Sequence, residues 1–222
     1  MRAFLPSKRL VPALFAAALL LGMASFAPPS RAQPSADRLV DRLEQKYDGG
    51  QALKAQFTQT TSQNGQMSTL SGTLTLKGDR YRVQTDRQTL VTDGETTWVY
   101  TPAREQVLVN DYIEDETAFS PSRFFDGYRE RYRATDVRTA QRDGAKHHVL
   151  TLKPREQGAF FQNVTLWMRA SDAVVTRLAV ENANGSTMTF TLRDVNFSAK
   201  TTAGTFRFDV PPSAEVVDLR SS

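Results

Sequence analysis

The sequence predicts a mainly β protein in which one long antiparallel sheet curls into a part-barrel and short helices lie across its open side. Apolar and polar residues alternate with a period of two through most of the chain, most clearly where threonines separate Met188, Phe190 and Leu192. Glycines preceded by Asp or Asn mark tight turns between these segments, as expected for antiparallel hairpins. A sheet of many strands curls because its twist accumulates and its apolar face must be covered.

The front of the chain, residues 1–32, has the form of a secretory signal peptide. Basic residues precede an apolar run over residues 10–26, and small residues stand at positions −3 and −1 of a cleavage after Ala32. The alternative is an uncleaved membrane anchor, but the run is shorter than the ~20 apolar residues that span a bilayer. We expect 1–32 to be removed and 33–222 to form a single domain, since no linker-like stretch divides it.

The net charge of the chain does not indicate that it binds nucleic acid. The chain carries 28 Lys and Arg against 24 Asp and Glu, but four of the basic residues and none of the acidic ones lie within 1–32, so the remainder is formally neutral. The chain has no cysteine, so burial alone must hold the core. The cleavage site likewise offers no Cys that could be acylated, and we expect a free, unanchored protein.

One amphipathic helix is predicted over residues 37–47. Leu39 and Leu43 lie on one face of it at helical spacing, and Ser35 is a candidate N-cap. Asp and two glycines at 48–50 end the helix. Such a helix must lie on an apolar surface.

About eleven strands follow from the alternation and the turn signals. The meander is interrupted once, between residues 110 and 131, where the segment 121–128 predicts one or two short helical turns. A tail with Phe206, Phe208 and a pair of prolines follows the last strand. The predicted strands are 53–62, 67–77, 80–85, 88–92, 95–101, 104–109, 132–140, 146–153, 160–170, 173–182 and 185–197.

The motifs of the common enzyme and metal sites are missing from the sequence. His147 and His148 are adjacent, so on a strand they point to opposite faces and cannot jointly hold one metal; we expect one to be packed and the other solvated. The acidic residues between 111 and 116 lack the glycine and spacing of a calcium loop. No nucleophile elbow, phosphate loop or His-Glu-x-x-His motif occurs. We expect no catalysis, no metal and no cofactor.

The apolar face of the sheet has two interpretations at this point. Side chains and helices can pack it into an ordinary core, with function in the loops, or the sheet can enclose a cavity with the helices as a lid over a hydrophobic ligand. Large aromatic rings and methionines from many strands favour adaptable apolar walls.

Three segments carry a resemblance to a known family. Residues 53–59 (LKAQFTQ) resemble its signature of an aromatic before Thr-Gln after an N-terminal helix. Residues 90–102 (LVTDGETTWVYTP) are similar to its most specific stretch, a hairpin with an aromatic-rich strand and a polar-Pro turn. Residues 206–216 (FRFDVPPSAEV) resemble its Phe-x-Phe-x-x-Pro ending. The family is that of the periplasmic outer-membrane lipoprotein carriers of Gram-negative bacteria.

The resemblance implies an unclosed antiparallel β-barrel of about eleven strands with a helical lid over an apolar cavity. It implies a periplasmic carrier, expected to be a monomer, that accepts acylated lipoproteins from an inner-membrane lipoprotein-releasing ABC transporter. Delivery would be to the outer membrane, where a receptor is a further expected partner. The pathway's receptor shares the fold but is itself a lipoprotein, which a chain without Cys cannot be. The alternative is a periplasmic lipid-sensing or protein-interaction module of the same fold.

The resemblance together with strand alternation predicts which side chains face the cavity. Along the predicted strand 160–170, the choice of Leu166 and Met168 as cavity residues leaves Phe161 and Trp167 on the other face. The predicted cavity residues are Phe57, Leu74, Leu76, Trp98, Tyr100, Leu166, Met168, Leu178, Met188, Phe190 and Leu192. Leu39, Leu43, Phe124 and Phe125 are predicted to lie under the lid.

The sequence departs from the family at one hairpin. Where members often have Arg-Pro, with an Arg that helps to hold the lid to the barrel, this chain has Lys77, Gly78, Asp79 and Arg80. Arg80, at a shifted position, is the candidate replacement for that Arg.

Overall fold

Twelve β-strands form one sheet in the part of the chain that the structure describes. The structure, a computed structural model, describes residues 34–47, 50–112, 128–156, 159 and 161–220. The predicted signal segment 1–32 and the predicted lid residues Phe124 and Phe125 lie outside the described residues. The helices are α1 (Ala36–Tyr47) and the short α2 (Tyr128–Arg131), and the strands are β1 (Leu53–Gln63), β2 (Gln66–Lys77), β3 (Arg80–Thr85), β4 (Thr89–Thr92), β5 (Thr96–Thr101), β6 (Gln106–Asp111), β7 (Tyr132–Arg142), β8 (Ala145–Pro154), β9 (Phe161–Arg169), β10 (Val175–Asn182), β11 (Thr187–Asn196) and β12 (Glu215–Asp218).

The strands follow the order β12-β6-β5-β4-β3-β2-β1-β11-β10-β9-β8-β7. Two meanders, β1 to β6 and β7 to β11, are joined by the antiparallel pairing of β1 with β11. β12 alone pairs in parallel, with β6. β7 and β12 are the two edges, so the sheet is open. The prediction of a mainly β, unclosed antiparallel sheet is confirmed.

Helix α1 forms where the amphipathic spacing predicts it. Its first turn is capped by Ser35, whose Oγ accepts a hydrogen bond from the backbone N–H of Arg38 at 3.5 Å. Asp37 in the first turn and Lys46 in the last carry the charges that suit the helix dipole. The apolar stripe, which includes Leu39 and Leu43, is fully buried.

Tight turns fix the register of two hairpins. Asn64 and Gly65, between β1 and β2, have φ values of 50° and 77°, and Asp143 and Gly144, between β7 and β8, have 50° and 72°. Positive φ at both central residues is the type I′ geometry, whose twist matches that of paired strands. The register of these hairpins therefore follows from the turn residues themselves.

The sheet has two faces, which the pairing registers define because directly paired residues point to the same side. We call the face that α1 contacts the inner face and the opposite one the outer face. One inner row runs from β2 to β6 through Leu74, Val83, Leu90, Val99 and Leu108. The adjacent outer row runs through Thr75, Arg82, Val91, Trp98 and Val109.

All eleven predicted strands exist, each with its ends within two residues of the prediction. The twelfth, β12 (Glu215–Asp218), was not predicted from the sequence. It has only four residues, and its pairing to β6 is parallel and distant along the chain, so no hairpin signal precedes it.

Gly72 allows the backbone of β2 to approach β3 closely. A Cβ built on Gly72 would collide with the backbone carbonyl of Gln84 and would lie 3.0 Å from both Phe57 Cε1 and Thr85 Cγ2. The position therefore needs a residue without a side chain, as where another backbone segment approaches a strand closely.

We predict that Gly72→Ala lowers the free energy of unfolding by about 1–3 kcal/mol, because a backbone carbonyl must shift to admit the methyl group. Gly204→Ala is the matched control, since a Cβ there meets nothing nearer than Thr202 Oγ1 at 3.9 Å. Urea unfolding followed by tryptophan fluorescence measures both. Equal losses in the two variants would contradict this role of Gly72.

Candidate functional site

Helix α1 covers one half of the inner face. Leu39, Val40 and Leu43 belong to one buried cluster with apolar side chains of β8, β9 and β10. Three predicted cavity residues, Leu166, Met168 and Leu178, lie in this cluster and are at most 4 % exposed. On this half, the inner face is a packed core beneath the helix.

The C-terminal end of α1 is held by specific contacts. The Tyr47 hydroxyl accepts a hydrogen bond from the backbone N–H of Val175 at 3.1 Å, and burial raises the pKa of Tyr47 to about 12. The Tyr47 ring also meets the Phe197 ring edge to face, with centroids 5.1 Å apart. Arg42 donates a hydrogen bond to the carbonyl of Ala170 at 3.0 Å. These contacts fix α1 to the sheet.

The other half of the inner face is apolar and half-buried. The row formed by Leu74, Val83, Leu90, Val99 and Leu108 keeps part of each side chain accessible. In the described strands β1 to β6, the inner positions carry no Asp, Glu, Lys or Arg; they hold apolar residues, Gly72, and Thr, Ser, Gln or Asn. A surface of this kind accepts a hydrocarbon chain without stripping water from a charge.

Strands β1 and β11 connect the two halves. Phe57 pairs with Leu192, and Gln59 pairs with Phe190, which places these side chains on the inner face beside Met188. Met188, Phe190 and Leu192 are half-buried, whereas Phe57 is buried. Of the predicted cavity residues, Leu74, Met188, Phe190 and Leu192 are therefore partly accessible on one continuous face.

Two predicted cavity residues lie on the outer face. Trp98 pairs with Val91 and Val109, and Tyr100 pairs with Thr89 and Val107, so both point away from Leu74 and Leu76. The Tyr100 ring lies against Phe208, with centroids 5.6 Å apart. Assigning Trp98 and Tyr100 to the inner face was wrong. Alternation shows which residues share a face, but here the C-terminal tail supplies an apolar cover for the second face.

Arg80 and Arg82 hold this C-terminal tail. Arg82 donates hydrogen bonds to the carbonyls of Thr205 at 2.8 Å and Arg207 at 2.7 Å. The guanidinium of Arg80 lies over the Phe206 ring, 5.4 Å from its centroid. Both arginines are on the outer face, whereas α1 lies on the inner face. Arg80 is therefore not placed to hold α1 to the sheet.

Both adjacent histidines are buried, on opposite faces of β8. His147 is 2 % exposed, and its Nε2 lies 2.9 Å from Thr176 Oγ1. His148 is 7 % exposed, and its Nδ1 has no hydrogen-bond partner among the described residues. Burial, followed by the nearby charges of Arg42 and Lys146, lowers the pKa of His148. The expectation of one packed and one solvated histidine was wrong, because the outer face of β8 is also covered.

The described residues bring together no group of three or more His, Asp or Glu side chains that could hold a metal ion. Among the described helices, none has the length and apolar character needed to cross a membrane.

Comparison with known proteins identifies the family. The sequence profile of the family described as "Outer membrane lipoprotein carrier protein LolA" matches residues 48–209. The chain belongs to the LolA family. An outer-membrane lipoprotein carrier protein of Azotobacter vinelandii is 28% identical over 210 residues, covering 92% of this chain and 98% of the relative. One from Pseudomonas aeruginosa (strain UCBPP-PA14) is 29% identical over 215 residues, covering 94% of this chain and 99% of the relative.

A solved structure shows a similar fold. The crystal structure of an uncharacterized conserved protein from Thermus thermophilus superimposes with a TM-score of 0.56 at 14% identity, covering 83% of this chain and 99% of that one. This likeness concerns the fold alone. The resemblance to the lipoprotein carriers, drawn from three short segments, is confirmed by the LolA match over most of the chain.

Sequence reasoning missed four members of the apolar row: Val83, Leu90, Val99 and Leu108. One of them could have been found, because the two-residue turn at Gly78 and Asp79 pairs Leu74 with Val83. The later turns, between β3 and β6, are longer, so the register of their strands does not follow from turn length.

We expect the buried His148 to make the stability of this LolA-family protein depend on pH. Its pKa is lowered from 6.5 in the folded state, so below pH 6.5 the unfolded chain takes up a proton that the folded protein does not. We predict that the free energy of unfolding falls as the pH drops from 7 to 5, by at most about 1.4 kcal/mol per pH unit for this proton.

His148→Met removes the titrating group, and urea unfolding at several pH values should show a shallower loss in the variant. Asp172 does not interfere, because its hydrogen bond from Arg169 lowers its pKa below 3.8 and its contribution is lost only under more acidic conditions. Equal slopes for the native protein and the variant would show that His148 does not carry this dependence.

Proposed function

We propose that this protein carries lipoproteins through the periplasm and shields their acyl chains on the half-buried part of its inner face. Membership of the LolA family supports carriage as the activity. The observation that carries the location is the uncharged row of Leu74, Val83, Leu90, Val99 and Leu108 on an open sheet. We place the acyl chains along this row and beside Met188, Phe190 and Leu192 of β11.

The free energy of hydration makes such a carrier necessary. Each exposed methylene costs about 0.8 kcal/mol, so one long acyl chain in water costs roughly 10 kcal/mol. An apolar surface with no charged group recovers much of this cost. Because α1 already fills the other half of the inner face, the surface available to the cargo is limited. A limited contact area favours moderate affinity, so that the lipoprotein can be released. Carriage of this kind makes and breaks no covalent bond.

The partners of the carrier follow from its cargo. We propose that an inner-membrane lipoprotein-releasing ABC transporter loads the protein, and that the outer membrane, directly or through a receptor, unloads it. The protein would act as a free monomer. The absence of cysteine supports a protein without a lipid anchor, since no acyl group can be attached to a Cys at its N-terminus.

We propose that residues 1–32 direct the protein to the periplasm and are removed by cleavage after Ala32. The expected N-terminal residue of the periplasmic protein is Gln33, because the basic start, the apolar run and the small residues before this bond fit a signal peptide. N-terminal sequencing of the protein from a periplasmic fraction tests this. Recovery of the uncleaved chain in the membrane fraction would contradict it.

Release of lipoproteins from spheroplasts tests the function itself. Purified protein is added to spheroplasts of its host, and lipoproteins in the supernatant are measured against a matched sample without carrier. Release above this control supports carriage. If a folded, monomeric sample releases nothing yet binds an apolar dye, the lipid-sensing module would replace the carrier.

A pair of neighbouring substitutions tests where the acyl chains bind. Val83 lies on the inner face and is half-buried, whereas Gln84 on the same strand is exposed on the outer face. Val83→Glu should reduce lipoprotein release at least about tenfold, since it places a charge beneath the hydrocarbon. Gln84→Glu adds the same charge and should release normally. Equal release by both variants, with folding confirmed by circular dichroism, would contradict this location.

A further inference from the structure

An open pocket of about 390 Å³ lies on the outer face, opposite the proposed cargo surface. Five of its lining side chains carry hydroxyl groups, two are arginines, and the eighth is a methionine. None of the lining residues carries a negative charge. The pocket is lined by Thr60, Ser62, Met67, Arg142, Arg177, Thr187, Thr189 and Thr191.

The pairing registers explain how these side chains meet. Thr60 pairs with Thr189, and Ser62 pairs with Thr187, so the hydroxyl groups of β1 and β11 lie side by side. Thr191 pairs with Arg177 of β10, which continues the same row. The hydroxyl groups and the guanidinium of Arg177 therefore lie on one face of three adjacent strands, β1, β11 and β10.

Arg177 carries an unsatisfied donor at this site. Its guanidinium stacks on the Trp167 ring, with Cζ 4.6 Å from the centroid, and its Nε is buried without a hydrogen-bond partner among the described residues. Burial and the charge of Arg142 lower the pKa of Arg177. The two guanidinium groups repel each other, and among the described residues only Arg142 has a carboxylate partner, so an anion in the pocket would reduce this repulsion.

Two carboxylates lie near the pocket, and one of them already pairs with a pocket arginine. Asp143 accepts a hydrogen bond from Arg142 Nε at 3.1 Å, but it lies at an exposed turn with 80 % of its side chain accessible. Glu181, which pairs with Thr187, accepts a hydrogen bond from Asn163 at 2.6 Å. Neither residue lines the pocket.

We propose that this outer pocket binds a phosphate group. Arg177 and Arg142 hold the phosphate by charge-assisted hydrogen bonds, and the threonine hydroxyls donate hydrogen bonds to its remaining oxygens. Guanidinium groups present planar forks of donors that match phosphate oxygens, and hydroxyl groups donate to the remaining ones. The phosphate can be inorganic or the headgroup of a phospholipid. Met67, 74 % exposed among the lining residues, gives the pocket an apolar edge beside the two charges.

The phosphate site is independent of the cargo surface. Thr60 and Thr189 point to the outer face, whereas Gln59 and Phe190 beside them point to the inner face. Phosphate binding therefore does not depend on what the inner face carries, and its failure would leave the proposed function untouched.

The test uses the purified protein in buffer free of phosphate and sulfate. Calorimetric titration with sodium phosphate at constant ionic strength measures binding, with sodium chloride as the blank. Arg177→Met and Arg142→Gln should each weaken phosphate binding at least about tenfold, since each removes a charge-assisted contact. Arg193→Gln is the control, because Arg193 is exposed on the same face outside the pocket.

Vesicle flotation separates the two sources of phosphate. Binding to phosphatidylcholine vesicles that contain phosphatidylglycerol, reversed by inorganic phosphate and lost in Arg142→Gln, would assign a lipid headgroup. Phosphate binding without flotation would assign the free anion. The proposal is overturned if the folded native protein shows neither, or if Arg193→Gln weakens binding as much as Arg142→Gln does. Arg142→Gln alone decides the outcome if Arg177→Met does not fold.

Discussion

The pairing of β1 with β11 is the constraint on which the rest of the structure depends. β1 pairs with β2 along its whole length and with β11 from Lys54 to Ser62, so it joins two meanders into one sheet. A shift of one residue in a strand exchanges its two faces. This register is therefore what places Phe57 against Leu192 on the inner face and Thr60 against Thr189 on the outer one.

As a consequence, the two faces of the sheet differ in what covers them and in their polarity. On the inner face, α1 packs one half into a core, and the other half keeps an uncharged apolar row partly accessible. On the outer face, the C-terminal tail covers β3 to β6, where Arg82 donates a hydrogen bond to the carbonyl of Thr205. The outer pocket is lined by residues of β1, β2, β7, β10 and β11. The proposed function depends on this division, because the proposed cargo surface must stay apolar while the outer face meets water.

Much of this fold could be predicted from local signals in the sequence. Helical spacing gave α1, and period-two alternation with glycine turns gave eleven strands, because these patterns depend on neighbouring residues. The side chain faces of β5 could not be predicted in the same way. Trp98 and Tyr100 share a face by alternation, but only the distant contact between Tyr100 and Phe208 shows that this face is the outer one. Likewise, β12 depends on a parallel pairing with β6 that no local pattern announces.

Site-specific photo-cross-linking tests the central claim most directly, that acyl chains lie on the inner face between β2 and β6. A photoreactive amino acid at Leu90, on the inner face, should cross-link to a lipoprotein labelled in its acyl chains when the protein is loaded from spheroplasts. The same group at Thr89, which neighbours it on the outer face, should give no such product. Cross-linking from Thr89 and not from Leu90 would contradict this location of the cargo.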